Sequence, residues 1–277
     1  MKFSMLLATL NRNEYVIQSV KYLQLQTYQN FEIIIVDQSD NIHNELKLLD
    51  NRINYIHIEK KGLSHARNIG LKYVTGDYVC LVDDDGFYKD PETLKKIFNF
   101  LKNKNITVCC GNIYDEKENR IKGSAKDKKV TFRTSLLYSQ SPSMVIETNF
   151  IKEKRFDENL GIGSKYGSTE ESEIVLAALS QKKLCIYTNC FTINHPLPTS
   201  SDYSVEKWVS YSRGFGAAMK KCKVKYSKFW AYYLLLKSTI RRLGAYLVIH
   251  RIKNKAALTN DIEGLKALWH AYKEYKV

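Results

Sequence analysis

Residues 62–85 read GLSHARNIGLKYVTGDYVCLVDDD: a run with helical spacing, a polar turn, and an apolar pentad that ends in three acids. In the run Leu63–Val74, Ala66, Ile69, Gly70 and Tyr73 can pack on a neighbour, which predicts a helix. The pentad Tyr78–Val82 predicts a strand buried on both faces. Toward the N-terminus the same alternation repeats. Phe3–Ala8 and the β-branched run Phe31–Val36 are strand candidates, as is Ile53–Ile58. Between the first two, Glu14–Gln26 carries Val16, Val20 and Leu23 at helical spacing. On the C-terminal side, Asp90-Pro91-Glu92 opens a helix, with an acid capping before a proline in the first turn. This order predicts an α/β chain built on a mostly parallel open sheet with helices on both faces.

Beyond Val108 the pattern is less regular. Asp115–Lys129 is polar and reads as a loop, and Met144–Glu147 and Leu184–Tyr187 as short strands. Ser168–Leu179 reads as a helix. From Val205 onward the pattern is helical, with breaks near Gly214, Gly216 and Gly264. The chain has 277 residues, 44% hydrophobic and 26% charged, enough for one large domain and an appendage. The first residues lack a long apolar signal segment and a small-residue cleavage site, and the six cysteines show no C-x-x-C pairing. Both features predict a cytoplasmic protein with reduced thiols. The net charge is +14, yet residues 219–277 hold fourteen Lys or Arg against three acids. The excess therefore belongs to a basic helical tail, 219–277, and not to the body, 1–218. Such a tail suits an anionic partner.

The polar residues best placed for chemistry follow strand candidates. Thr9 follows the first, Asp37 the second, and Asp83-Asp84-Asp85 the fourth. Open α/β sheets bind ligands beyond the carboxyl ends of their strands, and three such ends in order are stronger evidence than one. Three adjacent carboxylates repel one another unless a cation sits among them. In extended chain Asp83 and Asp85 share a face, and their hard oxygens suit Mg²⁺ or Mn²⁺. A solvated acidic turn, aided by Gly86, is the alternative.

Several blocks resemble family 2 of the inverting glycosyltransferases, which has the GT-A fold and whose members include enzymes of bacterial cell-surface polysaccharides. They are FSMLLATLNR (3–12), FEIIIVDQSD (31–40), the 62–85 block, FDENLGIGSKYGSTEESEIVLAAL (156–179), NHP (194–196) and YSRGFGA (211–217). The resemblance implies a sugar transferred from a nucleotide sugar, a UDP-sugar, to a glycan or lipid-linked glycan acceptor. It places Thr9 and Asp37 at the nucleotide base and gives Arg12, Arg67, Asp83 and Asp84 to the nucleotide sugar. Asp83 and Asp85 match the ends of a D-x-D motif holding Mn²⁺ or Mg²⁺. His195 stands where some relatives place a metal or phosphate contact. Glu171 matches the catalytic base, the second acid of a Glu-Asp pair. Here the pair is Glu170-Glu171, one methylene longer, which leaves open which glutamate is the base.

Plainer roles exist for the same residues. Glu171 fits the last position of a capping box begun by Ser168, Arg67 fits a helix surface, and His195 fits an ordinary loop. A nucleotidyltransferase would need a glycine-rich loop where this chain has Ala8-Thr9-Leu10-Asn11, and a dinucleotide enzyme would need G-x-G-x-x-G there. A nucleic-acid-binding protein would explain the basic tail but not acids at strand ends. A non-catalytic nucleotide-sugar- or glycan-binding relative would share most of these features. In the tail, Lys237, Arg241 and Arg242 interrupt apolar runs, which excludes an ordinary spanning helix. The mixture fits a helix lying on an anionic membrane at the inner face of the cell, or a packed helical subdomain with a basic exterior.

Overall fold

The computed structural model describes residues 1–196, 204–252 and 255–277, with the backbone alone for 245–252 and 255–260. The first half alternates β1 (Phe3–Thr9), α1 (Asn13–Gln24), β2 (Phe31–Asp37), β3 (Ile53–His57), α2 (Leu63–Gly70), β4 (Tyr78–Asp83) and α3 (Thr93–Leu101). There follow β5 (Val108–Tyr114), β6 (Arg120–Lys122), β7 (Lys128–Lys129), α4 (Ser135–Tyr138), β8 (Met144–Glu147), α5 (Thr148–Lys154), α6 (Glu170–Ser180) and β9 (Cys185–Asn194). Three helices complete the described chain: α7 (Val205–Lys221), α8 (Lys228–Ile252) and α9 (Lys255–Glu274).

The strands form one sheet in the order β3-β2-β1-β4-β8-β5-β9-β7, with β6 paired to β5. Pairings β1/β2, β1/β4, β2/β3 and β5/β9 are parallel, and β8 runs antiparallel between β4 and β5. Alternation of side chains divides the core. Phe3, Met5 and Leu7 pack with α1 and α3 residues such as Val16, Leu23 and Ile97 on one face. Leu6 and Ile34 pack with Ala66, Ile151 and Ile174 on the other. Register sets the carboxyl ends level: Thr9 pairs with Asp37, and Ala8 with Asp83. Three polar strand ends thus share one rim.

Several elements depart from the sequence reading. The helix expected to Val74 stops at Gly70 and continues as a turn. The strand expected over Leu184–Tyr187 runs ten residues, to Asn194. Its polar middle hides it from pattern reading; Asp127 satisfies that middle by accepting from Thr188 Oγ1 and the Asn189 amide. The stretch 115–129, expected as loop, contributes the two short edge strands β6 and β7.

The breaks expected at Gly214, Gly216 and Gly264 do not occur; α7 and α9 run through them. These glycines serve close approach. A Cβ on Gly216 would lie 2.1 Å from Leu268 O, and one on Gly264 2.4 Å from Arg242 Nη1. The helix propensity lost at each, ~1 kcal/mol, is offset by close packing, which at Gly216 is against the backbone of Leu268.

Helix α7 runs across the 218/219 boundary. Around it a third core joins Leu160, Tyr166 and Leu176 of the body to Met219, Leu234, Leu268 and Tyr275. A buried charge network ties the same elements. Lys221 Nζ lies 2.6 Å from Asp157 Oδ2 and 2.9 Å from Glu173 Oε1. Lys154 Nζ lies 2.8 Å from Glu173 Oε2. The hydroxyls of Tyr226 and Tyr275 donate to Glu173 and Asp157 respectively.

Candidate active site

The rim formed by β2, β1 and β4 carries the acids. After Asp83 the chain does not stay extended, as the pairing of Asp83 with Asp85 on one face required. It turns, and the Gly86 amide donates back to Asp83 O at 2.9 Å. The three carboxylates therefore diverge to different partners. Asp83 Oδ1 accepts from Arg67 Nη2 at 3.0 Å and Ser141 Oγ at 2.9 Å. Asp84 points inward, accepting from Thr9 Oγ1 at 2.9 Å. Asp85 Oδ1 faces His195 Nε2 at 3.1 Å.

A cation does sit among the acids, and it is a side chain. Arg12 places Nη1 2.7 Å from Asp84 Oδ1 and Nη2 2.8 Å from Asp85 Oδ2. Its guanidinium also lies over the Tyr15 ring, 4.3 Å from the centroid. Burial, reinforced by the charges of Asp85 and Asp83, raises Asp84 to about 6 despite Arg12. Burial would raise Asp85 as well, but its bonds to His195 and Arg12 hold it down at about 2. His195 responds in the opposite sense: burial would lower it, and the Asp85 contact lifts it to about 9. The end of β9 delivers this histidine. Phe87 and Asn194 exchange backbone hydrogen bonds of 2.7 and 3.0 Å, and the His195 amide donates to Tyr114 O.

Asp37 is fully buried. Its carboxylate accepts from Tyr55 Oη and the Ser39 amide, both at 2.8 Å. Gln38, beside it, accepts from the Gly62 amide at 2.6 Å and so pins the start of α2 to the rim.

Arg67 is 1% exposed and not a surface residue of α2. It reaches Asp83 on one side and Glu170 Oε1 at 3.1 Å on the other. Glu170 is buried, whereas Glu171 is half-buried. Burial, together with the neighbouring Glu170 charge, raises Glu171 to about 8. The capping-box alternative does not hold in the structure. Helix α6 is capped by Thr169, in a left-handed conformation with φ of 74° and no side-chain cap bond. Ser168 Oγ turns away to Tyr211 O.

The donors of the rim can be tested against a divalent cation. Among the described residues, no three His, Cys, Asp or Glu side chains form a ready cage. Asp85 and His195 are adjacent, however, and Mg²⁺-type sites take one or two protein ligands plus phosphate oxygens and water. The donor set fits such an ion in that limited sense. Sequence reasoning missed Ser141, Tyr55, Gln38 and Ser39. Ser141 and Tyr55 lie outside any motif; Gln38 and Ser39 stand inside the 31–40 block, where the adjacent acid is the stronger chemical signal.

With the sheet order and rim geometry established, comparison with known proteins gives the class. The glycosyl transferase family 2 model matches residues 4–161. The mannosyltransferase PcManGT from Pyrobaculum calidifontis, in complex with GDP-Man and Mn²⁺, superposes with a TM-score of 0.64 at 12% identity, over 99% of this chain and 87% of that one. The S. aureus TarS 1–349 complex with UDP-GlcNAc gives 0.55 at 17% identity, over 99% and 92%. These likenesses show the GT-A fold.

The chain belongs to glycosyl transferase family 2. Among curated relatives, glycosyltransferase GlyG of Streptococcus pneumoniae serotype 4 is 32% identical over 114 residues, 39% of this chain and 38% of GlyG. The chain spans less than two thirds of the length of GlyG and the curated relatives beside it.

Proposed function

We propose that this protein is an inverting glycosyltransferase moving a sugar from a nucleotide sugar, a UDP-sugar, to a hydroxyl of a glycan or lipid-linked glycan in cell-surface polymer assembly. The observation that carries the reading is Arg67. One buried guanidinium joins Asp83, at the end of β4, to Glu170, at the start of α6. The acid suited to the donor side and the acid pair suited to the acceptor side are therefore held next to each other by one side chain. In this reading Thr9, Asp37 and Arg12 form the nucleotide end, and Arg67, Asp83 and Asp84 the sugar-diphosphate end. Asp85 and His195 are the candidate metal ligands, since Asp83 is turned to Arg67 and Ser141. Mn²⁺ or Mg²⁺ held there would offset the charge that builds on the departing diphosphate.

Glu171 is the better base. Glu170 is spent on Arg67, whereas Glu171 has its proton affinity lifted toward neutrality, where a general base is most effective. Glu171 takes the proton of the acceptor hydroxyl as that oxygen attacks the anomeric carbon, and one displacement inverts the configuration. A screen of nucleotide sugars for nucleoside diphosphate release, with the product anomer read by NMR, tests the proposal. Release from a UDP-sugar with an inverted product supports it. Retention overturns the single displacement. Tight donor binding without turnover for any acceptor favours the non-catalytic relative.

A further inference from the structure

Helix α8 has two apolar faces. Ala231, Leu234 and Leu235 enter the third core. Phe229, Tyr232, Leu236, Ile240 and Leu243 are exposed, between 43% and 68%. At about 100° per residue, their spacings of three and four residues put all five within roughly 80° of one another, opposite the buried face. Tyr232 is the most engaged, lying beneath Lys223 Nζ at 5.2 Å. A stripe of this length on water is unusual for a folded chain and marks an interaction surface.

Charge selects the partner. From residue 207 to residue 260 the chain has thirteen Lys or Arg and no Asp or Glu. Exposed Lys228 borders the stripe on one edge, and exposed Lys237 and Arg241 on the other. A second copy would have to bring the same cations against these. A nucleic acid would use the cations and leave the apolar stripe wet. Among the described residues no helix is long and apolar enough to cross a membrane. An apolar stripe edged by cations matches the acyl–headgroup boundary of an anionic bilayer.

We propose that the outer face of α8, centred on Leu236 and Ile240 and edged by Lys228, Lys237 and Arg241, is the surface by which this protein lies on an anionic membrane. It deepens the proposed function, because a lipid-linked acceptor would be confined to that surface. The stripe inserts shallowly while the cations hold phosphate-bearing headgroups.

The full chain is the right material for the test, because α8 and α9 supply core residues and truncation would unfold the third core. Co-sedimentation would use phosphatidylcholine vesicles with and without one third phosphatidylglycerol. Three proteins are compared: the natural chain, Leu236→Ser with Ile240→Ser, and Lys237→Gln with Arg241→Gln. Urea unfolding checks each fold, and diphosphate release with a soluble acceptor checks each active site. The natural chain should bind the anionic vesicles and not the neutral ones. The glutamine pair should weaken binding at least about tenfold at low salt. The serine pair should remove the part that survives 1 M salt, where the Debye length is only ~3 Å. Failure of the natural chain to bind, or equal binding by all three proteins, overturns the proposal. So does a vesicle-independent dimer that the serine pair abolishes, which would assign the face to a second copy. Turnover is read separately, so loss of the transferase reading would leave the vesicle result interpretable.

Discussion

Arg67 Nη1 donates to Glu170 Oε1 across 3.1 Å, although the two residues lie 103 positions apart in the chain. The contact fixes the start of α6 to the sheet rim through one guanidinium that also reaches Asp83. It is both a strut and a piece of site electrostatics, and the two roles separate experimentally.

Arg67→Met keeps an unbranched stem and removes the guanidinium with its charge. Glu170 is left buried without a cation, a loss expected to cost about 3 kcal/mol of stability. Urea denaturation reads it directly. Arg67→Lys should recover little of this, since one ammonium cannot serve Glu170, Asp83 and Ser141 in the plane of a guanidinium. Stability unchanged in the methionine variant would remove the strut.

Glu171→Gln should retain nucleotide-sugar binding and lose transfer by ~10²-fold or more. Glu170→Gln should be milder in kcat and should weaken the Arg67 contact. Glu171 must lose its proton to act as base, and burial lifts its pKa from 4.5 to about 8. The kcat profile should therefore climb with pH and level off above about 8. Stability moves the other way. A carboxyl whose folded pKa is raised favours the fold most when protonated, so its contribution is full below pH 4.5 and fades as pH rises through 8. A kcat profile flat from pH 5 to 9 would count against Glu171.

Divalent-metal dependence should pass through Asp85. Chelator is expected to abolish transfer, and Mn²⁺ or Mg²⁺ to restore it. Asp85→Asn should still unfold cooperatively in urea, at some cost in stability from its lost pairs with Arg12 and His195, and should lose Mn²⁺ binding measured by electron paramagnetic resonance in the presence of nucleotide. Full activity in chelator would remove the metal from the reaction.

Glu173 is 0% exposed and receives two lysines and a tyrosine. Glu173→Leu would leave Lys154 and Lys221 facing each other in the interior, and should destabilise by about 3–5 kcal/mol. Tyr275→Phe removes one hydroxyl from Asp157 and should cost about 1–2 kcal/mol. Both are read by urea unfolding. Near-neutral Glu173→Leu would mean that the network contributes little to holding α6.

The βα alternation of the first hundred residues was legible because buried parallel strands are continuous apolar runs and their helices have clear periodicity. Thr9, Asp37 and the acid triplet were legible for a related reason: each stands where such a run stops. What joins them was not. Arg67 sits in a helical pattern that suits a surface equally well, and only the fold brings Glu170 to it. An extended chain over 83–85 would put Asp83 and Asp85 on one face, but Gly86 closes a turn there. In the C-terminal third, glycines that read as breaks in the sequence lie inside continuous helices. Propensity there yields to packing, since the approach of Gly216 to Leu268 depends on a residue more than fifty positions away.

Burial of Tyr275 against Asp157, 118 residues earlier, also bears on how the protein is made. Ribosomes synthesise from the N-terminus at about 5–20 residues per second, so roughly 6–24 s separate the two residues. The sheet can assemble in that interval. Leu160, Tyr166 and Leu176, however, lack part of their cover until Leu268 and Tyr275 emerge from the exit tunnel. The nascent chain therefore spends seconds as a nearly finished domain with one open apolar face, the kind of surface that chaperones recognise and that drives aggregation when synthesis is fast or crowded.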